Sequence, residues 1–289
     1  MKKENFKLKI DDFLEDLTNI LKKEINYCLE SIILTGSYTI GKMSLERPNV
    51  NILIFLNDKV KSESYLKIGD IFDKTGNKYK DYFSIKIDSL PLKFGIPNIR
   101  KEPELIITVN LFLISEKNIN PPFGIPKNVL EGMKNTSKVI FGHNYLSDIN
   151  LTYSKKEFLQ SASHSVGVLF RSFLMRDPLI YPLKKNIDLL AHESVELGKL
   201  SLYWGTEVFL EEEEIKAGKH IEMIKNSDSM IDFYNKIDKD LGKAAETILE
   251  ARKHFREYKK DKKKTFLLYN AAFLAVHKIF YEIKKQMNS

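Results

Sequence analysis

One stretch, residues 35–56, constrains the fold of this chain more than any other. It reads TGSYTIGKMSLERPNVNILIFL, so that Gly36 and Ser37 end one apolar segment and a second apolar segment begins at Val50. Apolar, β-branched runs of this length, bounded by turn residues, are typical of strands. We therefore predict a strand, a tight Gly-Ser turn and a second strand.

The first half of the chain predicts further elements around this pair of strands. A helix that starts at Asp11 or Asp12 precedes the first strand, because apolar residues recur at helical spacing after a capping aspartate. The patterns that follow predict a helix over 61–80 and strands over 82–90 and 105–114. They then predict a short helix over 129–133 and a last strand over 137–142. The second of these strands is almost continuously apolar, which predicts a strand covered on both faces.

The second half is helical in pattern from about Thr152 onward and contains no strand-like segment. Periodicity close to 3.6 residues predicts helices over 154–176, 186–204, 206–224, 228–258 and 265–286. Pro178 and Pro182 interrupt the pattern between the first two of these helices. We predict two domains, residues 1–150 and residues 151–289, with the second a helical bundle.

The Gly-Ser turn and the strand after it resemble the signature of the DNA polymerase β nucleotidyltransferase superfamily. The segment KVIFGHNYL, residues 138–146, also resembles the piece that closes many of those domains. The change to helices near residue 150 is similar to the two-domain architecture of kanamycin-nucleotidyltransferase-like proteins. The resemblance implies an α+β fold, with a mixed sheet and flanking helices, followed by an all-α helical bundle domain.

The resemblance assigns roles to particular residues of the stretch. It implies that Gly36 and Ser37 hold the phosphates of a nucleotide, and Lys42 lies close enough in sequence to approach a triphosphate. In the family, an Asp-x-Asp or Asp-x-Glu pair on the second strand binds catalytic metal ions. Here Asn49 and Asn51 occupy those two positions.

A third acidic position of the family falls on a neighbouring strand, and two residues compete for it. The strand over 82–90 offers Asp88, whereas the strand over 105–114 offers Asn110. We favour Asn110, because a buried strand beside the Asn-x-Asn strand suits a central place in the sheet. Glu46 is a further carboxylate in the loop before Asn49.

Nucleotidyl transfer relies on two Mg²⁺ ions that neutralise charge on the transferred phosphoryl group. Alternate residues of a strand point the same way, so an Asp-x-Asp pair directs two carboxylates at one metal cluster. Asn49 and Asn51 keep that spacing, but an amide carries no charge and cannot act as a base. Four interpretations remain open: a natural pseudoenzyme, an engineered exchange of aspartate for asparagine, a chance resemblance, and an active enzyme with displaced acids.

Three functions follow from these interpretations. The first is a catalytically impaired nucleotidyltransferase relative that binds a nucleotide or substrate in the cleft between the domains. The second is an active Mg²⁺-dependent enzyme that moves NMP from an NTP to a small molecule, an RNA or a protein. The third is an interaction module that binds no nucleotide. Mg²⁺ is the expected cofactor only if the enzyme is active, and no metal ligand is assigned.

Composition and short motifs argue against several other classes of protein. A single cysteine, Cys28, excludes an intrachain disulfide and a cysteine-based zinc cluster. The chain shows neither a signal-peptide pattern nor a continuous apolar run of membrane-span length, so we expect a cytoplasmic protein without a membrane partner. The histidines lack metal-ligand spacing, and the helical half lacks the Arg-x₄₋₆-His motif of related RNases.

A basic segment near the C-terminus is a weaker candidate for binding nucleic acid. Glu250 to Lys264 contains eight Lys and Arg residues and three Asp and Glu residues, in a chain of net charge +7. Clustered cations of this kind attract phosphate backbones. A solvated helix end is the structural alternative.

Overall fold

The computed structural model describes residues 3–88, 104–119, 121–125, 127–151, 154–169 and 187–288. The chain divides into two compact units, of which the first comprises Met1–Ile125 with Val129–Asn150 and the second Pro126–Asn128 with Leu151–Ser289. Residues 89–103 and the prolines at 178 and 182 lie outside the described residues.

The first unit is built on a mixed five-stranded sheet in the order β3-β4-β2-β1-β5. Its strands are β1 (Leu29–Thr35), β2 (Asn49–Leu56), β3 (Ser84–Asp88), β4 (Glu104–Leu113) and β5 (Lys138–Gly142). β1 runs antiparallel to β2 and β5, whereas β2 and β3 run parallel to β4. The predicted strand pair is therefore an antiparallel pair in the middle of the sheet, and β4 lies beside the Asn-x-Asn strand.

Helices α1 (Lys3–Glu24) and α2 (Ser62–Lys78) cover one face of this sheet. Val50, Ile52 and Ile54 of β2 belong to the same buried cluster as residues of both helices. Because side chains alternate along a strand, Asn49 and Asn51 face the opposite side of the sheet. A third helix, α3 (Lys127–Asn135), precedes β5.

Helix α1 begins well before the predicted start at Asp11 or Asp12. Phe6 and Ile10 are buried and extend the apolar stripe by two turns toward the N-terminus. The aspartates are consequently inside the helix, where Asp12 pairs with Lys9 at 2.7 Å. A local capping pattern was thus outweighed by burial of the earlier apolar residues.

The second unit is helical throughout its described residues, as predicted. Its helices are α4 (Lys155–Leu169), α5 (Ile187–Phe209), α6 (Glu212–Lys216), α7 (Lys219–Lys225), α8 (Ser227–Ile237), α9 (Lys239–Lys253), α10 (Phe255–Lys260) and α11 (Lys262–Asn288). Two predicted helices are broken into shorter ones. Gly218 adopts a φ of 78° between α6 and α7, and the Asp238 carboxylate accepts the Leu241 N–H at 2.8 Å to start α9.

Helix α11 is long and apolar enough, by length and composition, to cross a membrane. Core helices of soluble proteins pass the same test. Leu268, Val276 and Ile279 of this helix are fully buried within the second unit. The apolar character of α11 therefore has an explanation in the packing of this unit.

Lys155 fastens the end of α5 within the second unit. Its amino group donates to the carbonyl oxygens of Glu207 at 2.9 Å and Val208 at 2.8 Å, and also to that of Leu210. Burial lowers the pKa of this amine, while nearby glutamates oppose the shift. Lys155 thus satisfies carbonyls that the helix end leaves without an intrahelical donor.

We expect Lys155→Met to lower the free energy of unfolding by about 1–2 kcal/mol, because three carbonyls lose a charged donor at the negative end of a helix. Trp204, the single tryptophan, lies on α5, so its fluorescence during urea unfolding reports on this unit. Lys156→Met, at the exposed neighbouring position, is the control and should change stability little. Equal stability of the two variants would contradict the assigned role.

Candidate nucleotide-binding site

The Gly36-Ser37 turn and the Asn-x-Asn strand meet directly. β1 ends at Thr35, and Gly36 then adopts a φ of 85°, a left-handed conformation that favours glycine. A methyl group built on Gly36 would lie 2.5 Å from Nδ2 of Asn51. The Asn51 amide therefore lies against the backbone of the turn, and only glycine leaves room for it.

Hydrogen bonds from distant parts of the first unit hold the turn in place. The Gly36 N–H donates to Oγ1 of Thr136 at 2.8 Å, just after α3. The Thr39 hydroxyl lies 2.7 Å from the Gly36 carbonyl oxygen and 2.6 Å from that of Thr136. Lys42 closes the same turn, since its N–H donates to the Ser37 carbonyl at 2.8 Å while its side chain is exposed.

Tyr38 anchors the turn to helix α1. Its ring is buried, and its hydroxyl donates to the Asp11 carboxylate. Burial raises the pKa of the Tyr38 hydroxyl well above its usual range, and the bond to Asp11 raises it further. Tyr38 is therefore a neutral donor at any ordinary pH, and it ties the turn to the helix beneath it.

We expect Tyr38→Phe to speed hydrogen exchange of the Gly36 and Lys42 amides by about fivefold. That factor corresponds to about 1 kcal/mol, which is below the roughly 1.5–3 kcal/mol of a bond to a charged group because Asp11 is exposed and regains water. Exchange measured by mass spectrometry or NMR checks this. Tyr82→Phe, on an exposed ring of the same unit, is the control. Unchanged exchange in Tyr38→Phe would refute the anchoring role.

The strand register arranges polar residues in a row across the sheet. Asn51 pairs with Thr35 of β1 and with Thr108 of β4, and Thr108 pairs in turn with Asp88 of β3. Two residues nearer the start of β2, in the next row on the same face of the sheet, Asn49 pairs with Ile106. The Thr108 hydroxyl donates to Oδ1 of Asn49 at 3.4 Å, which links the two rows.

The register also places both candidates for the third position. Asn110 pairs with Leu53, two residues beyond Asn51 on the same face of the sheet, whereas Asp88 occupies the row of Asn51 in the backbone ladder but two strands away. Thr108 lies between Asp88 and Asn51 in this row and is the β4 residue directly beside Asn51. Sequence reasoning overlooked Thr108, although it lies two residues before Asn110 and therefore on the same face of β4.

Asn110 has an unusual environment for an amide. The residue is 7% exposed, and its Nδ2 atom is buried without a hydrogen-bond partner among the residues that the structure describes. Buried polar groups of folded proteins are nearly always paired, because a buried donor without an acceptor loses its hydration and gains nothing in exchange. Asn110 therefore offers an unused donor on the face of the sheet that carries Asn49 and Asn51.

These side chains do not suit a pair of Mg²⁺ ions. Mg²⁺ takes oxygen ligands and is usually held by one or two carboxylates together with substrate phosphates. Among the described side chains of the two rows, Thr35, Asn49, Asn51, Ile106 and Thr108, none is a carboxylate. Oδ1 of Asn49 already accepts from Thr108, and the nitrogen of Asn51 lies against Gly36. The family's metal chemistry does not fit this donor set.

The basic segment Glu250–Lys264 forms the junctions between α9, α10 and α11 in the second unit. Phe255 and Tyr258 are buried and attach the segment to the core. Lys264 forms an ion pair with Glu257 at 2.8 Å. These contacts account for the segment as part of the helical fold, and its binding of nucleic acid stays a prediction.

No protein-family model and no curated protein sequence matches this chain. Among solved structures, it is similar to spectinomycin adenyltransferase AAD(9) from Enterococcus faecialis, which was solved with ATP and spectinomycin. The identity is 12%, the TM-score is 0.53, and the alignment covers 94% of this chain and 98% of the other. The fold is nucleotidyltransferase-like.

This similarity agrees with the α+β first unit and the helical second unit inferred from the sequence. At this level of identity it concerns the fold alone, since one fold can carry different chemistries. In this fold the Gly-Ser turn lies against one of two alternate side chains of the next strand, Asn51. In this chain those two side chains are amides.

Proposed function

We propose that this chain is a nucleotidyltransferase relative that binds a nucleotide at the Gly36-Ser37 turn and the Asn-x-Asn strand, without efficient nucleotidyl transfer. The observation that carries the proposal is the contact between Gly36 and Asn51. A left-handed glycine makes room for the side chain at the family's second acidic position, and that side chain is an amide. The proposed site keeps the turn and the strand of the family's motif, whereas the two charges of that motif are absent.

The chemistry of transfer supports the second part of the proposal. An in-line attack on an α-phosphate needs charge neutralisation and a group that orients or deprotonates the attacking hydroxyl. Asn49 and Asn51 supply neither, because an amide has no charge and does not titrate. The first part of the proposal draws support from AAD(9), whose structure contains ATP. A bound nucleotide is therefore the ligand to test first.

Calorimetric titration with ATP, GTP, CTP and UTP, each with Mg²⁺ and with EDTA, tests binding. We expect saturable heat with at least one nucleotide and no release of pyrophosphate above background after prolonged incubation. If none of the four nucleotides gives binding heat in either condition, nucleotide binding is rejected. An interaction module that binds no nucleotide is then the remaining function. Sustained Mg²⁺-dependent release of pyrophosphate would reject impairment.

One observation favours the second function, an active nucleotidyltransferase, and the same assay of pyrophosphate release tests it. Asp88 is an acidic residue in the backbone row of Asn51, on β3, two strands away. If the chain does transfer nucleotides with this displaced acid, Asp88→Asn will abolish pyrophosphate release. Release that survives Asp88→Asn would mean that Asp88 is not the acid.

A further inference from the structure

Asparagine does more than remove charge from the two family positions. A carboxylate only accepts hydrogen bonds, whereas an amide both accepts and donates through two N–H groups. The exchange therefore converts a set of groups suited to cations into one that can donate to anions. Phosphate oxygens are strong acceptors, and N–H donors bind them directly when no metal ion lies between.

Two amides of the site have nitrogens placed for such a role. Nδ2 of Asn51 lies against the backbone of Gly36, the residue before Ser37. Nδ2 of Asn110 is buried on the same face of the sheet and has no hydrogen-bond partner among the described residues. Along β4, Asn110 is about 7 Å from Thr108, the neighbour of Asn51, which is a separation that a chain of phosphates can bridge.

We propose that this site binds the phosphates of its nucleotide as the free anion, through amide N–H donors and without a divalent cation. The inference rests on the proposed function and specifies its ligand. Asn110 is the donor that a bound phosphate would satisfy, which accounts for a buried amide nitrogen that has no partner in the described part of the chain. Mg²⁺ in solution competes for the same phosphate oxygens and therefore weakens binding.

The test compares ATP, tripolyphosphate and adenosine by calorimetry, each in EDTA and in excess Mg²⁺. We expect ATP and tripolyphosphate to bind in EDTA, with affinity several-fold lower in Mg²⁺, and adenosine to bind much more weakly. Binding of ATP only with Mg²⁺ would overturn this inference and leave nucleotide binding intact. Binding of adenosine but not tripolyphosphate would overturn the phosphate assignment. Failure of all three ligands in both conditions would overturn the proposed function as well.

Asn110→Leu separates a ligand role from a structural one, since leucine has nearly the same shape and no donor. We expect the melting temperature to stay the same or rise, because the unpaired donor is gone, while affinity for ATP in EDTA falls about tenfold. Asn118→Leu, the same exchange at an exposed position of the first unit, should leave affinity unchanged. Full affinity in a folded Asn110→Leu protein would remove Asn110 from the proposal.

Discussion

Exchange of both Asn49 and Asn51 for aspartate should raise the affinity of the chain for Mg²⁺ by at least about tenfold. Two carboxylates on alternate residues of β2 would face the same side of the sheet, next to the Gly36-Ser37 turn. Each supplies a charged oxygen ligand of the kind that Mg²⁺ prefers, in place of a neutral amide. This is the largest effect that follows from the geometry, because it restores both missing charges at once.

Calorimetric titration of Mg²⁺ into the double variant measures the gain, and thermal unfolding gives a second readout. Without metal, the two carboxylates repel each other and the melting temperature should fall; with Mg²⁺ it should recover. The matched control is Asn118→Asp with Asn135→Asp, which adds the same charge at exposed positions of the first unit. Equal Mg²⁺ affinity in the double variant and the control would mean that β2 does not carry the family's metal positions.

Gly36→Ala should lower affinity for the nucleotide by at least about tenfold, whereas Gly41→Ala should leave it nearly unchanged. Both glycines have left-handed backbones, with φ values of 85° and 70°, so both variants incur a similar strain of about 1–2 kcal/mol. At Gly41, a new methyl group meets no atom of the described residues within 4 Å. At Gly36, the methyl group lies 2.5 Å from Nδ2 of Asn51 and displaces that amide.

A double-mutant cycle assigns the effect to this collision. In an Asn51→Ala background the obstructing nitrogen is absent, so Gly36→Ala should destabilise the protein only as much as Gly41→Ala does. Urea unfolding followed by far-UV circular dichroism measures both differences. If Gly36→Ala costs the same with and without Asn51, the two residues are not coupled, and the site as described is wrong.

The sequence was sufficient to predict the parts of the site that lie close together along the chain. Gly36, Ser37, Asn49 and Asn51 belong to one strand-turn-strand unit that the pattern predicts, and the resemblance to the family groups them as a site. Thr136 holds the turn from 100 residues away, and Thr108 joins the row through strand pairing. Such partners depend on the register and on helix placement, which periodicity does not determine.

Helix existence was easier to predict than helix ends. Burial of Phe6 and Ile10 lengthened α1 beyond its apparent cap, while Gly218 and Asp238 ended helices inside continuous periodic patterns. In each case a local residue and a tertiary contact competed, and the sequence alone did not reveal which would prevail. The fold class was unaffected, because it rests on the order of strands and helices.

The chain combines the framework of a nucleotidyltransferase-like fold with an uncharged pair at its most characteristic position. The framework includes the left-handed Gly36, the anchored Tyr38 and the paired strands β2 and β4. Glycine adopts the left-handed backbone without strain, so these features give the turn and the strand beside it a defined, stable shape. A ligand that needs donors rather than a metal reconciles the two observations.

The central claim is that a nucleotide binds at these asparagines, and NMR of protein labelled with ¹⁵N at asparagine tests it most directly. Side-chain amide signals of Asn51 and Asn110 are identified by their loss in Asn51→Ala and Asn110→Leu. Titration with ATP in EDTA should shift both signals to a common saturation point, while the Asn118 signal stays in place. Saturable ATP binding that leaves the Asn51 and Asn110 signals unmoved, or no binding at all, would contradict the account.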